Sequence, residues 1–536
     1  MKNRYNIYKL KEKKKDNLLD KLKEVNLLKQ KAIDKNNYVL TFYFSEQLKD
    51  NPVWWYFLYK DFFNENTKEP RNMSYYAILL IEQKNNENNK YIISLGKSHF
   101  YLNKLIVKDF GISIAQRIAN EETMSLKKSR LFGGNKRQEI SSYINFNIGN
   151  YEAGESIDHI KAKASNEALW GNKNIIFSDS IQIDYECSPE DIIEIIKSFE
   201  VELDKDVALN LPKLELVDGE DILLELDELL IKKIKANNSK VTIEEFNSYG
   251  VEFLFNSSNF DCCIYYYDSK SKTRLNEKKI QGEITSKDLS DYVNSMSLNK
   301  NIENVKVKFK NNEYSFTKPI KELIDCHIDD DSGYYFLRSG EWYYFNECFM
   351  DNLKRSLERV DFIKEDDFDE LKYISWKKQK ENDIANGIPC ENKLTYREYY
   401  FNVMQSKDNG YILLDRELES IKSLNSKRKP YSIEVADLYK NNTAWAVKIG
   451  SKKESLIYNI EQSKYSAELI YRKEIKTEYK IKDFGLWFVS TENIEKITDF
   501  NSIQLLLAIE SWRRIVEQSG GKPKIKYSKI INSQPL

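Results

Sequence analysis

The chain has 536 residues, of which 41% are hydrophobic and 31% are charged, a composition typical of a globular protein with a highly charged surface. This length exceeds what one hydrophobic core supports, so it excludes a single-domain protein and predicts two or three domains. Lys and Arg total 83 against 84 Asp and Glu, and the net charge of −1 excludes a polyanion-binding surface spread over the whole molecule.

Cysteine and histidine usage argues against two common kinds of site. The six cysteines form no CxxC pair and the chain has only three histidines, so neither a zinc site nor a disulfide framework is indicated. The Lys-rich first residues lack the apolar segment of a signal peptide, and no apolar run reaches the length of a membrane span. We therefore expect a cytoplasmic protein with reduced thiols and no membrane association.

The first part of the chain alternates strand and helix patterns. A strand over Tyr5–Leu10 precedes a charged helix over Lys11–Gln30, and Tyr38–Phe44 is a second strand. The aromatic segment that follows has helical spacing, which predicts a buried position for each ring; base stacking is the alternative. These rings belong to Trp54, Trp55, Tyr56 and Phe57.

Positive charge is then concentrated around a double glycine, Gly133-Gly134. Two glycines allow a close approach of the backbone, and cations beside them could hold phosphates, although the spacing is not that of a Walker loop. The alternative is a solvated basic turn. The polar residues of this segment are Lys127, Lys128, Arg130, Lys136, Arg137 and Gln138.

The domain boundaries are predicted from composition. Leu203–Val217 is acidic and contains Pro212, which favours a linker between domains. We expect an N-terminal α+β domain over 1–205, a middle α+β domain over 206–320 and a C-terminal α+β domain over 321–536. The fold class is thus α+β, with several mixed sheets and packed helices.

The stretch Tyr396–Tyr465 carries the residues of greatest chemical interest. Glu398 lies in a predicted helix, and Asp415 ends a short apolar run. Alternating residues predict one strand over Tyr431–Tyr439 and another over Thr443–Ile449, followed by a helix over 457–470. Further on, the patterns predict a strand over 484–489, a helix over 503–518 and a basic strand over 524–531.

Carboxylates on a helix and a hairpin, with a lysine on the neighbouring strand, form the site of restriction-endonuclease-like folds. Here Glu398 could be the helix acid and either Asp437 or Asp415 the strand acid that hold Mg²⁺, while Lys448 stabilises charge on a phosphate. The acidic residue expected two positions before the lysine is Ala446, and Glu434 could substitute for it only across a bulge.

Alternation predicts that Lys448 points outward, so its loss should cost within roughly 0.5 kcal/mol. Positively charged side chains near this hairpin would bind the phosphates of a nucleic-acid backbone. They are Lys427, Arg428, Lys429, Lys452 and Lys453.

Several short motifs in a fixed order resemble a sporadically distributed bacterial family of unknown function. They are NPVWWYFL, the GIS helix, LFGGNKRQEISS, YYFLRSGEWYYFNECF, YREYYFN with LLDRE, SIEVADLY and WAVKIGSKKESLIYNIEQSKYSAELI. The resemblance runs from about Tyr38 to the C-terminus and implies a setting among phage-defence and restriction-modification genes, without an established activity. The family usually carries His-x-Lys where this chain has Ala446-Val447-Lys448.

Two hypotheses of different classes follow. One is a phage-defence protein that acts on nucleic acid as an Mg²⁺-dependent nuclease. The other is a non-catalytic recognition or scaffold component of a bacterial defence system, which binds nucleic acid or a partner protein through its basic segments. A nucleotide-dependent enzyme ranks last because GxGxxG and Walker signatures are absent. Clustering of Glu398, Asp437 and Lys448 would favour the nuclease.

Overall fold

The described part of the chain covers most of its length. The computed structural model describes residues 3–45, 49–64, 66–102, 104–132, 138–144, 146, 151–217, 219–237, 241–243, 261–268, 270–280, 284–296, 301–310, 315–330, 333–338, 340–388, 393–414, 418–421, 431–475, 477–500 and 502–532. The chain forms two compact units. The first unit comprises Met1–Arg130, Gln138–Tyr151 and Ser156–Cys348. The second unit comprises Leu131–Arg137, Glu152–Glu155 and Phe349–Leu536. The three-domain division expected from the sequence stays a prediction.

The first unit is rich in antiparallel strands. Its strands, wholly or mainly within the unit, are β1 (Asn3–Lys9), β2 (Leu27–Lys35), β3 (Tyr38–Ser45), β4 (Lys49–Pro52), β5 (Arg71–Ser74), β6 (Ala77–Gln83), β7 (Lys90–Leu95), β8 (Leu126–Leu131), β9 (Gln138–Ser142), β10 (Glu155–Ala162), β11 (Ile175–Phe177), β12 (Ile181–Tyr185), β13 (Leu214–Leu216), β14 (Val241–Ile243), β15 (Asp261–Asp268), β16 (Thr273–Ile280), β17 (Val305–Lys310), β18 (Ser315–Pro319), β19 (Ile324–Asp330), β20 (Gly333–Arg338) and β21 (Glu341–Phe345). Its helices are α1 (Lys15–Glu24), α2 (Trp54–Leu58), α3 (Phe110–Ile118), α4 (Glu167–Trp170), α5 (Ile193–Leu203), α6 (Glu220–Lys235) and α7 (Ser286–Ser295).

The strands of the first unit form three larger sheets and a short ribbon. The largest sheet has the order β2-β3-β6-β7-β1-β12-β11-β10-β8-β9. The second has the order β13-β21-β20-β19-β14 and the third β16-β15-β17-β18, while β4 pairs with β5. These mixed helices and sheets confirm the predicted α+β class.

The centre of the largest sheet is buried on both faces. In β6, Leu79 and Ile81 belong to one apolar cluster with α3 and α5, whereas Ile78 and Leu80 belong to another with α1. Successive side chains of a strand point to opposite faces, so a strand covered on both sides must be apolar throughout. This explains why β6 reads AILLIEQ and not as an alternating pattern.

The second unit is built around one mixed sheet. Its strands are β22 (Asp361–Lys364), β23 (Phe368–Asp369), β24 (Ile412–Leu413), β25 (Leu418–Ile421), β26 (Tyr431–Glu434), β27 (Leu438–Lys440), β28 (Thr443–Ile449), β29 (Asp483–Ser490) and β30 (Pro523–Ile531). Its helices are α8 (Glu347–Leu357), α9 (Glu370–Ala385), α10 (Arg397–Asn409), α11 (Lys453–Tyr471) and α12 (Ile503–Gln518). The sheet order is β22-β30-β29-β28-β27-β24, with β23 beside β30 and a separate β25-β26 ribbon.

Strands β28, β29 and β30 run parallel, and α11 and α12 connect them. Strand β27 joins β28 through Asn441 and Asn442, both with positive φ (50° and 59°), the conformation that a two-residue hairpin turn requires. On one face of the sheet, Trp445 and Val447 pack with α10 in an apolar cluster. Helix α11 contacts β28 and β29 and buries Ala446 from the other side, so β28 is covered on both faces.

Four sequence-based expectations need correction. The predicted helix over Lys11–Gln30 is shorter, because the residues from Leu27 onward pair with β3 as strand β2. The aromatic segment is only partly core, because Tyr56 is buried whereas Trp55 is 42% and Phe57 56% exposed. The predicted linker contains β13, which pairs with β21. The predicted strand Tyr431–Tyr439 is two strands, because β26 pairs with β25 and β27 pairs with β24 and β28.

Candidate functional site

The candidate site lies at the point where the pairing of β28 with β27 ends. Strand β28 pairs with β29 along its whole length, but its register with β27 ends at Trp445, whose carbonyl accepts the N–H of Asp437 at 3.0 Å. The N–H groups of Val447 and Ile449 therefore need other acceptors on this edge, because buried backbone donors are almost always paired.

Two carboxylates supply those acceptors. The Val447 N–H donates to Oδ2 of Asp437 at 2.7 Å, and the Ile449 N–H donates to Oε2 of Glu398 at 3.1 Å. Asp437 comes from the end of the segment before β27, and Glu398 from the first turn of α10. Because the two donors are two residues apart on one strand, the bound carboxylate oxygens are about 7 Å apart along it.

Lys448 completes the cluster. Its Nζ lies 3.0 Å from both carboxylate oxygens of Glu398, and the two side chains are 27% and 25% exposed. The structure thus brings Glu398 and Lys448 into contact and holds Asp437 at the neighbouring Val447 N–H. It does not leave Lys448 pointing freely outward, because α11 covers that face of β28 and the lysine reaches around the edge to Glu398.

The side chains of the other two predicted acids, Asp415 and Glu434, lie outside the described residues. Glu434 ends β26, in the ribbon with β25. Leu414, the residue before Asp415, donates its N–H to the Asp437 carbonyl at 2.8 Å. Over the residues that the structure describes, no group of three or more His, Cys, Asp or Glu could hold a metal ion.

The predicted nucleic-acid contacts are only partly described. Lys136, Arg137, Lys427, Arg428 and Lys429 lie outside the described residues, as do the side chains of Gln138 and Lys453. Lys452 is exposed at the start of α11.

Arg130 requires a correction. It is 4% exposed, its Nη1 lies 2.9 Å from both carboxylate oxygens of Asp325, and its guanidinium stands over the ring of Phe336 at 5.8 Å. A phosphate would have to break a buried ion pair to reach this side chain, so the predicted contact is wrong for Arg130. Lys127 is also buried, at 2% exposure, over the rings of Tyr143 and Tyr151.

One residue beside the cluster was missed by sequence reasoning. Asn402 is one helical turn after Glu398 on α10 and is completely buried. The i, i+4 spacing places the two side chains on one face of the helix, and that spacing was the available signal.

Comparisons with known proteins identify a family and no activity. The model of a family described as a family of unknown function, DUF6119, matches residues 5–484. No curated protein and no solved structure matches the chain. Helices in the described part of the chain are not both long and apolar enough to cross a membrane.

Proposed function

Because the chain belongs to DUF6119, a family without a known function, we propose its activity from the site itself: Mg²⁺-dependent hydrolysis of phosphodiester bonds in nucleic acid. The observation that supports this proposal is the meeting of Glu398, Asp437 and Lys448 on the edge of β28 that β27 leaves. Two carboxylates and a lysine are the groups that such chemistry requires.

The donor set is suited to a hard divalent cation. An ionised carboxylate accepts about four hydrogen bonds or ligand contacts, so a carboxylate that accepts a backbone N–H, as those of Asp437 and Glu398 do, can also be a ligand of a cation. Mg²⁺ prefers oxygen ligands, keeps several waters and is often held by only one or two carboxylates. When bound, the cation would lower the pKa of a water and polarise a phosphoryl oxygen.

Each side chain then has a distinct task. The backbone of β28 fixes the carboxylates of Asp437 and Glu398 through the N–H groups of Val447 and Ile449, so the ligands are oriented before the cation arrives. Lys448, which contacts Glu398, would stabilise negative charge that develops on a phosphate. Lys452, exposed at the start of α11, adds a cation for the nucleic-acid backbone.

The order of elements also supports the proposal. Helix α10, strands β24, β27 and β28, helix α11 and strand β29 occur in this order along the chain, with the β25-β26 ribbon between β24 and β27. That is the arrangement expected of a restriction-endonuclease-like site, with Ala446 in place of the second strand acid. The phage-defence setting implied by the sequence resemblance fits an enzyme that cuts foreign nucleic acid.

A second candidate is a non-catalytic recognition or scaffold component of a defence system. It is favoured by the ion pair of Glu398 with Lys448, which neutralises one acid, and by Ala446 where a third acid would stand. Such a protein would bind nucleic acid without cutting it. Its affinity would fall steeply with salt, and replacing Lys427, Arg428 and Lys429 together by Ala would flatten that dependence, because fewer counterions would be released.

Cleavage assays separate the two candidates. Purified protein is incubated with single-stranded and duplex DNA and RNA, with Mg²⁺ or Mn²⁺ and with EDTA. The nuclease proposal predicts cation-dependent cleavage that Lys448→Ala lowers by about 100-fold. Lys378→Ala, which removes an exposed lysine of α9, is the matched control and should retain the activity. Binding without cleavage by the wild type supports the recognition protein instead.

A further inference from the structure

The buried side-chain amide of Asn402 indicates a bound ligand. Its side chain is 0% exposed, and within the described part of the chain neither its amide nitrogen nor its amide oxygen has a hydrogen-bond partner. Buried polar groups without partners are rare in native proteins, and an ion or water that the coordinates do not contain is a common reason for them.

The direction of α10 places Asn402 beside the carboxylate cluster. After α10, Gly410 turns the chain into β24, which runs antiparallel to β27 and therefore in the direction of β28. A helix joined to a strand by so short a connection packs antiparallel to it, so α10 runs opposite to β28. Glu398 accepts the Ile449 N–H. Because α10 runs opposite to β28, the next turn of α10 lies nearer Val447 and Asp437.

The spacing along the helix and the strand agrees with this placement. Glu398 and Asn402 are separated by four residues, about 6 Å along α10, and the two N–H donors of β28 are about 7 Å apart. Phe401, the preceding residue, contacts Trp487 of the sheet with ring centroids 5.0 Å apart, so this side of α10 faces the sheet. Asn402 is thus on the sheet-facing side, one turn from Glu398 in the direction of Asp437.

An amide oxygen here can replace the missing acid. Asn carbonyl oxygens ligate hard divalent cations alongside carboxylates. We propose that Asn402 supplies an oxygen ligand to a divalent cation held beside Glu398 and Asp437, with its amide nitrogen donating to a water or an oxygen of the bound group. The proposal rests on the cation of the proposed function, and it assigns to α10 the ligand that Ala446 cannot provide.

The test is the affinity of the full-length protein for Mn²⁺ alone, measured by calorimetry and by the Mn²⁺ electron paramagnetic resonance signal without nucleic acid. Asn402→Leu, which removes both polar atoms at similar volume, should weaken Mn²⁺ binding by about 10- to 100-fold. Asn402→Asp should strengthen it by about tenfold, because the ligand charge increases. If Asn402→Leu does not fold, the direction of the Asn402→Asp effect decides the question.

Asn409→Leu is the control. Asn409 is exposed at the end of α10, and its Nδ2 donates to Oε1 of Gln405 at 2.7 Å. Its replacement should leave Mn²⁺ affinity within about twofold of the wild type, because it lies about three helical turns from Glu398. Wild-type affinity in both Asn402 variants would overturn the inference and leave the nuclease proposal standing. Asn402-dependent binding without any cleavage would uphold the inference and contradict the nuclease.

Discussion

At the scale of single residues, the site depends on side chains that replace a strand partner. Asp437 and Glu398 accept the N–H groups that β27 leaves unpaired, and Lys448 then neutralises Glu398. That Glu398 and Lys448 lie near each other could be anticipated from the sequence, because a helix acid and a lysine on a following strand suggest such a pair. The direction of the Lys448 side chain could not, because alternation along β28 suggests a solvent face that α11 in fact covers.

The Lys448 ion pair should contribute to stability. Lys448→Ala leaves a half-buried Glu398 carboxylate without its cation, and we expect the free energy of unfolding to fall by about 1 kcal/mol, more than an exposed lysine would cost. Urea denaturation measures the change. Lys452→Ala, at an exposed position nearby, is the control and should change stability by less than about 0.5 kcal/mol. Equal losses of unfolding free energy in the two variants would show that the ion pair of Lys448 with Glu398 does not stabilise the fold.

Asp483 should make the second unit sensitive to acid. Burial alone would raise the pKa of its carboxyl, but the hydrogen bond and charge of Lys524, 2.7 Å away, with the Lys522 N–H, hold the pKa below the ordinary value of 3.8. A depressed pKa gives stability that is present above the unfolded pKa and lost as pH falls through the folded one. The wild type should therefore exceed Asp483→Asn in unfolding free energy at neutral pH, and the difference should shrink below pH 3.8. A difference that does not change with pH would refute this role for the carboxylate.

At the scale of elements, strongly periodic segments were predictable and their interruptions were not. The predicted helix over 503–518 and strand over 443–449 match α12 and β28 residue for residue, because long apolar patterns set their boundaries. The split of Tyr431–Tyr439 into β26 and β27 was not visible in the alternation. It depends on tertiary partners, β25 for one half and β28 for the other.

The contact of β29 with β28 at Gly485 should tolerate no side chain. A Cβ at Gly485 would lie 2.2 Å from the Trp445 ring, and Trp445 is held between Trp487 and the Lys526 ammonium. Gly485→Ala should therefore lower the free energy of unfolding by about 3 kcal/mol, measured by chemical denaturation. In a Trp445→Leu background the same change should cost much less, because the clashing ring is absent. Additive effects would show that the strain arises elsewhere.

At the scale of the whole molecule, composition predicted the α+β class, whereas the three-domain division stays a prediction. Acidic residues and Pro212 suggested a linker over 203–217, yet β13 within it completes the β19–β21 sheet. The sequence of so short a strand gives little indication that it is a strand. Its pairing depends on Tyr343, Tyr344 and Phe345, which lie more than a hundred residues later in the chain.

The buried pair Arg130–Asp325 joins two sheets of the first unit, through β8 and β19. Asp325→Asn removes the countercharge of a guanidinium that is 4% exposed, so we expect a loss of about 3 kcal/mol or more in unfolding free energy. The double variant Arg130→Met with Asp325→Leu should recover much of that loss, because an apolar pair leaves no buried charge. Salt-dependent nucleic-acid affinity should be unchanged in the double variant, and a flattened salt dependence would restore Arg130 as a phosphate contact.

We propose that the edge of β28 is a metal-dependent phosphodiesterase site. The most direct test of this proposal is the initial rate of Mg²⁺-dependent cleavage of labelled nucleic acid by the wild type and by Glu398→Gln, which exchanges one carboxylate oxygen for an amide. We predict cleavage that EDTA abolishes and that falls by about 100-fold in Glu398→Gln, because the variant loses a ligand charge and the partner of Lys448. No cleavage by the wild type, or equal rates in the two proteins, would contradict the proposal.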